Sequence, residues 1–312
     1  MDVAARPPLS GSRTPALARL RRATWKGERI EWSGYVFLLP FFVPFLVLTV
    51  GAIIFGTFVS FTDWGIVGDP NWVGLDNYVK ALSDPWVPKI WGNTLKYGLF
   101  VAPTTTLVAL GFALYVNQRW PGRTLARTVF YAPNVVSVTV IGLVWVWMLD
   151  TQFGLVNQYL GVFGVPNIPW LTNPSWALFG VGIASIWWDA GFAMVVLLAG
   201  LQDIPQELRE AAAIDGANRL GVFWYVVLPL LRPALSLVIT LQVINTLRVF
   251  SQIYIMTNGG PAGASASVIQ YVYEIGFSKY QLGYAASLSL MLFATILVVT
   301  FVELRVFRER SW

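Results

Sequence analysis

Residues Glu210–Pro229 read EAAAIDGANRLGVFWYVVLP: small helix formers, an Asp-Gly pair, then a second short helical stretch closed by proline. Ala211–Ala213 favour helix and leave its surface without bulk, so such a helix can sit closely in a groove on a partner. Asp215 favours turn geometry and Gly216 accepts the backbone angles of a sharp reversal. Pro229 is expected to stop the second helix at the start of the next apolar run. The pattern predicts a rigid helix-turn-helix knob. Its alternative is an ordinary helical hairpin lying on a membrane, held there by Phe223, Trp224 and Tyr225.

Long apolar runs flank this knob on both sides. Of 312 residues, 56% are hydrophobic and 12% charged, too apolar for an ordinary water-soluble domain. A spanning helix needs about 20 mainly apolar residues. Six runs qualify: Tyr35–Phe61, Asn93–Val116, Val129–Leu149, Trp176–Leu201, Leu230–Met256 and Leu282–Val302. The expected fold is therefore an all-α membrane protein of six transmembrane helices. Pro40, Pro44, Gly51, Gly56 and Pro103 inside the runs predict kinks.

Sixteen of the 21 basic residues fall before the first run, in the segments holding Arg119–Arg127 and Arg209–Arg232, or after the last run. The opposite side holds Lys80, Lys89, Lys96 and Lys279 among Asp63, Asp69, Asp76, Asp84, Asp150 and Glu274. By the positive-inside rule both termini and the 210–229 knob are cytoplasmic. Residues 1–34 read as a basic, disordered cytoplasmic tail, 35–304 as the membrane domain and 305–312 as a second cytoplasmic tail. The first apolar run is too long for a signal-peptide core, which makes it a retained anchor. On the outer side, Leu75–Leu82 reads as a short amphipathic helix amid an aromatic belt.

Composition also excludes chemistry. With no cysteine and no histidine, the chain cannot build a thiolate or imidazole metal site, a disulfide or a histidine relay. Nothing matches G-x-x-x-x-G-K-[ST], so it cannot cradle nucleotide phosphates by that route. No metal site is expected, and no cofactor in this chain. The pI near 9.5 reflects the topological placement of basic residues rather than nucleic-acid binding.

The 210–229 stretch resembles the cytoplasmic coupling loop of ATP-binding-cassette importer permeases, whose pattern is E-A-A, three residues, G, nine residues, I-x-L-P. Glu210, Ala211, Ala212, Gly216, Leu228 and Pro229 fall in register, with Val226 in place of isoleucine. The resemblance extends to WVGLDNY at Trp72–Tyr78, GLVNQYLG at Gly154–Gly161, WWDAGFAMVVLLAGLQDIPQEL at Trp187–Leu208, MTNGGP at Met256–Pro261 and LGYAA at Leu282–Ala286. These look like binding-protein-dependent carbohydrate permeases, of the maltose-permease F type or glycerol-phosphate-permease A type. The resemblance implies a transmembrane subunit in a bacterial or archaeal plasma membrane that receives a sugar from an extracytoplasmic solute-binding protein. It implies a second, different permease and two ATPase subunits as partners, with ATP and Mg held on the ATPase. On this reading Glu210, Ala211, Ala212, Asp215, Gly216, Leu228 and Pro229 couple to the ATPase. Asn258, Gly259, Gly260 and Pro261 then form the loop facing the binding protein.

Ionisable groups inside hydrocarbon are costly and mark candidate sites. Asp189 falls about halfway along the fourth run, after Trp188, and Arg248 falls within the fifth. In a continuous helix Gln242, Asn245, Arg248 and Gln252 would share one face. Such a polar stripe beside an aromatic suits a hydroxyl-rich ligand. Tyr284 and Ser287 on the sixth run are expected to complete the cavity. The alternative is that Asp189 and Arg248 form a salt bridge fixing two helices while the amides merely join them. Two further functions remain open: import of glycerol phosphate or a related diester, which Arg248 would suit, and ion-coupled secondary transport through Asp189. A membrane-embedded enzyme would need clustered acids or bases at one depth, and the runs hold only Asp189.

Overall fold

The computed structural model describes residues 32–307 except 66–67 and 119, with side chains from residue 37. It divides into two compact units, Met1–Ile54 and Phe55–Trp312. The expected basic tail at 1–31 and the last residues, 308–312, lie outside the described residues.

Helix α1 (Trp32–Pro44), in the first unit, continues through a π-helical turn (Phe45–Val50) into α2 (Gly51–Ser60), whose residues from Phe55 onward belong to the second unit. Helix is already present at Trp32, so the expected boundary after residue 34 falls inside α1. Phe37–Ser60 is long and apolar enough to cross a membrane.

The second unit continues with α3 (Asp76–Ser83), α4 (Trp86–Asn117), α5 (Arg123–Val135), α6 (Val138–Met148), α7 (Leu155–Val162) and α8 (Ala177–Gln202). Next come α9 (Gln206–Ile214), α10 (Arg219–Val222), a π-helical turn (Phe223–Val227) and α11 (Leu228–Leu230). The rest is α12 (Arg232–Leu247), α13 (Ser251–Met256), α14 (Val268–Tyr273), a π-helical turn (Glu274–Ser278) and α15 (Leu282–Phe307). Besides Phe37–Ser60, three helices among the described residues are long and apolar enough to span: α4, α8 and α15. The remaining two expected spans are broken. The α5–α6 pair bends by 99°, and Arg219–Leu230 meets α12 at 67°.

Each break has a physical cause. Between α5 and α6 the chain turns extended at Val136, and the carbonyl of Val136 accepts a hydrogen bond from the Trp188 indole at 3.2 Å. The expected continuous span Val129–Leu149 therefore does not form. The helix passes through Pro229 and ends at Leu230, three residues before Pro233 in the first turn of α12, so the stop is set by Pro233 and not by Pro229. The expected run Leu230–Met256 also divides, because α12 ends at Leu247 and Ser267 donates to the carbonyl of Val249 at 2.7 Å. At the far end α15 continues through Arg305 to Phe307, past the expected limit at 302–304.

Helix α8 is the central element. Lipid acyl tails are as apolar as Leu side chains, so helices in hydrocarbon are held by close packing and hydrogen bonds more than by the hydrophobic effect. The buried face of α8 is rich in small residues: Gly180, Gly182, Ala184, Ser185, Ala190, Gly191 and Ala193. At Gly191 any Cβ would collide with the Phe130 carbonyl of α5, so only glycine permits this approach. Ala109, Ala113 and Val116 of α4 join Met194, Leu197, Leu198 and Leu201 of α8 with Val227 and Leu231 in one core cluster. Tyr97, Val101, Ile141, Trp145, Val181 and Ile253 form another, with Tyr97 Oη bonded to Ser185 Oγ at 2.7 Å.

Candidate functional site

The two regions singled out by sequence have opposite construction. In the first, Asn218 Oδ1 caps α10 through the Gly221 N–H at 2.7 Å. The end of α9 is a Schellman motif: Ala217 N–H reaches the Ala212 carbonyl at 2.9 Å and Gly216 N–H the Ala213 carbonyl at 3.1 Å. Gly216 takes φ +89, the left-handed conformation that other L-residues resist. A Cβ there would meet nothing within 4 Å, so backbone angle alone demands glycine.

Helix α9 is largely exposed, and part of its exposed surface is apolar as well as small. Leu208 and Ile214 are 45% and 85% exposed, with Ala211 between them. Ile214 was missed by the sequence reading, although its position beside the alanines marks it. Glu210 accepts from Gln206 Nε2 at 2.6 Å, and Asp215 is exposed at the turn. Behind α9, Arg209 Nη2 donates to the Leu201 carbonyl at 2.6 Å, tying the knob to the end of α8. Val222, Phe223, Val227 and Leu231 pack into the α4–α8 core, and Leu228 and Pro229 are half-buried. One half of the segment is thus presented outward while the other is embedded.

The second region is a cavity of about 350 Å³ between α4, α8 and the break after α12. Trp188, Asp189, Asn245, Arg248 and Gln252 line it, together with Tyr97, Phe250 and Ser251. The route by which they converge differs from the expectation. Arg248 caps α12 and Gln252 lies on α13, so they do not share the face of one helix. The break itself faces Arg248, Phe250 and Ser251 toward the cavity. Gln242 is buried within α12 at 2% exposure and does not line it. Asp189 and Arg248 make no salt bridge; the ion pair among the described residues is Lys279–Glu274 at 2.9 Å. Trp188 and Phe250 supply aromatic faces, and a carboxylate, a guanidinium and two amides supply hydrogen-bonding groups in both senses.

Tyr284 and Ser287 are not part of this cavity. Ser287 is fully buried and donates to the Tyr284 carbonyl at 2.8 Å, within its own helix. Tyr284 Oη donates to Asp84 Oδ2 at 2.8 Å, and Tyr271 Oη donates to the same oxygen at 2.7 Å. Burial would push the Asp84 carboxyl up, but hydrogen bonds from Tyr271, the Trp86 N–H and Tyr284, with the Lys279 charge, hold it below 3.8. The same contact and burial push the Tyr271 phenol up. This clamp joins α3, α14 and α15. Its members lie almost two hundred residues apart, which is why sequence alone did not pair them.

Asn258, Gly259, Gly260 and Pro261 form an ordered loop beside that clamp. Gly260 N–H bonds to the Thr257 carbonyl at 2.8 Å, and Ser265 Oγ to the Gly260 carbonyl at 2.6 Å. Lys89 and Asn93 of α4 hold the following residues through the carbonyls of Ala262, Gly263 and Ala266.

Residues 105–308 match the family described as binding-protein-dependent transport system inner membrane component. The trehalose/maltose transport system permease protein MalF of Thermococcus litoralis is 35% identical over 285 residues, covering 89% of this chain and 94% of that protein. The arabinooligosaccharides transport system permease protein AraP of Bacillus subtilis is 28% identical, with 96% and 97% covered. Among solved structures, a bacterial ABC transporter involved in import of the acidic polysaccharide alginate aligns over 90% of this chain and 96% of its own with a TM-score of 0.77. At 24% identity that likeness bears on the fold.

Proposed function

This chain belongs to the family of inner membrane components of binding-protein-dependent transport systems, and on that basis we propose that it is a subunit of an importer for a sugar or oligosaccharide. ATP hydrolysis in such systems lies on separate subunits. Relatives named for trehalose/maltose, for starch degradation products and for arabinooligosaccharides support the saccharide class. The single observation that carries the reading for this chain is the cavity where Trp188, Asp189, Asn245, Arg248 and Gln252 converge. Aromatic faces stack on a pyranose while amides and charged groups bond its hydroxyls.

In this proposal α9 docks in a groove of an ATPase subunit through Leu208, Ala211, Ala212 and Ile214. Movement of the ATPase passes to α8 through Arg209 and to α4 and α12 through the embedded half of the knob. The partners are a second, different permease, a pair of ATPases binding ATP and Mg, and an extracytoplasmic solute-binding protein that meets Asn258–Pro261. Both termini and α9 lie in the cytoplasm, following the placement of arginines. Import of glycerol phosphate is the second reading, which Arg248 favours electrostatically.

The test is reconstitution of the full importer in proteoliposomes with labelled maltose. ATP-dependent uptake that persists after the proton gradient is collapsed is the expected result. Uptake that follows the gradient and ignores ATP would contradict it and favour ion coupling through Asp189.

A further inference from the structure

A second cavity of about 720 Å³ lies between α4 and the start of α8, lined among others by Lys89, Asn93, Lys96, Tyr97, Phe100 and Ser175. Tyr97 lines both this cavity and the one holding Asp189 and Arg248, so the two meet across one side chain, which is fixed by its bond to Ser185. Lys89 and Lys96 are seven residues apart, two turns of α4, and project from one face about 10 Å apart along the axis.

Lys96 lies ten residues into a helix long and apolar enough to cross a membrane, about 15 Å from its start. Charged groups so placed face protein or a water-filled route. The lining of this cavity holds two lysines and no carboxylate, and neither lysine is in a salt bridge. Lys89 is engaged, with Nζ on the Ala262 carbonyl at 2.6 Å and over the Trp86 ring at 4.7 Å. Lys96 has no such role. The excess is local, because the outer segments hold Asp63, Asp69, Asp76, Asp84, Asp150 and Glu274 against Lys80, Lys89 and Lys279, with Lys96 set apart on the span. Across the linings of these two neighbouring cavities the balance reverses to Lys89, Lys96 and Arg248 against Asp189.

We propose that this route is built for an acidic saccharide, whose anionic group is received by Lys96 and Lys89 before Arg248. The inference rests on the reading of the Asp189–Arg248 cavity as the solute path. A neutral sugar gains little from three cations. A uronate, sulfonate or phosphate ester gains charge-assisted hydrogen bonds and steering toward the cavity.

The test uses this chain assembled with its partner permease and ATPases in nanodiscs, without binding protein, and titrated with digalacturonate or maltose as probes. Digalacturonate is expected to bind about tenfold more tightly than maltose at low salt, with the advantage shrinking toward 1 M salt, where the Debye length falls to about 3 Å. Lys96→Gln is expected to weaken digalacturonate about fivefold, an effect comparable to losing one exposed charged contact, and Lys96→Arg to restore it. Equal or tighter binding of maltose, an unchanged Lys96→Gln variant or no binding of either probe would overturn the proposal. Uptake by cells carrying the whole importer separates the two readings: maltose uptake alone sinks only the acidic preference, whereas uptake of no saccharide sinks the carbohydrate reading itself.

Discussion

The α9 knob and the Asp189–Arg248 cavity differ in how they are made. The knob is one contiguous segment whose geometry is local: a Schellman turn on Gly216, a cap from Asn218 and an exposed small-residue face. The cavity is assembled from three distant pieces, at Tyr97–Val101, Trp188–Asp189 and Asn245–Gln252, and exists because α12 stops after Leu247. A segment built locally can be altered at one residue without disturbing the bundle. A cavity built from breaks depends on contacts far away in sequence. If the account is right, variants in the two regions fail differently.

The largest effect is expected at the knob. Gly216→Val forces a β-branched side chain into φ +89, costing on the order of 1–2 kcal/mol locally and deforming the docking helix. Uptake should fall by more than tenfold with membrane abundance unchanged, and Gly216→Asn, which tolerates this conformation, should retain much more activity. Equal loss in both variants would point to contact with the side chain rather than to backbone geometry.

Next is Arg248→Ala, which removes the guanidinium that the break places in the cavity. Uptake should drop about tenfold while basal ATP hydrolysis persists; a companion loss of the assembled complex would make Arg248 a packing residue. Asn245→Ala or Gln252→Ala should cost less, about 1 kcal/mol or roughly fivefold in apparent affinity for the solute. Gln242→Ala, outside the cavity, serves as the contrast within α12 and should leave that affinity unchanged.

These contrasts also mark what the sequence made legible. The apolar helices α4, α8 and α15, the α3 helix and the α9–α10 turn follow from local pattern, because helix length, capping and turn chemistry are set by near neighbours. The breaks at Val136 and after Leu247 do not follow. Nothing between Arg248 and Phe250 is a proline or glycine, and the turn there is held by Ser267, eighteen residues on. The bend at Val136 is supported by Trp188, fifty-two residues on. Continuous helical spacing therefore placed Gln242 on the cavity face and overlooked Phe250 and Ser251. The same limit moved Tyr284 to the wrong site, since its partner Asp84 lies two hundred residues away.

The smallest effect concerns that clamp, remote from both regions. Asp84 carries a depressed carboxyl, so its contribution to stability is present above about pH 3.8 and is lost as pH falls through the lower folded value. Asp84→Asn should lower stability at neutral pH by less than about 1 kcal/mol and remove this part of the acid dependence. A melting series of wild type and variant between neutral and acid pH checks the sign; parallel curves would exclude the clamp as its source.

The comparison turns on a single paired measurement, uptake and binding-protein-stimulated ATP hydrolysis read together in Gly216→Val and Asn245→Ala within the reconstituted importer. Gly216→Val is expected to lose both, because the ATPase is no longer engaged by α9. Asn245→Ala is expected to keep hydrolysis while uptake at low solute concentration falls roughly fivefold, because only one solute contact is gone. If Gly216→Val retains full stimulated hydrolysis, or both variants lose the two activities in the same proportion, the division between a coupling knob and a solute cavity is contradicted.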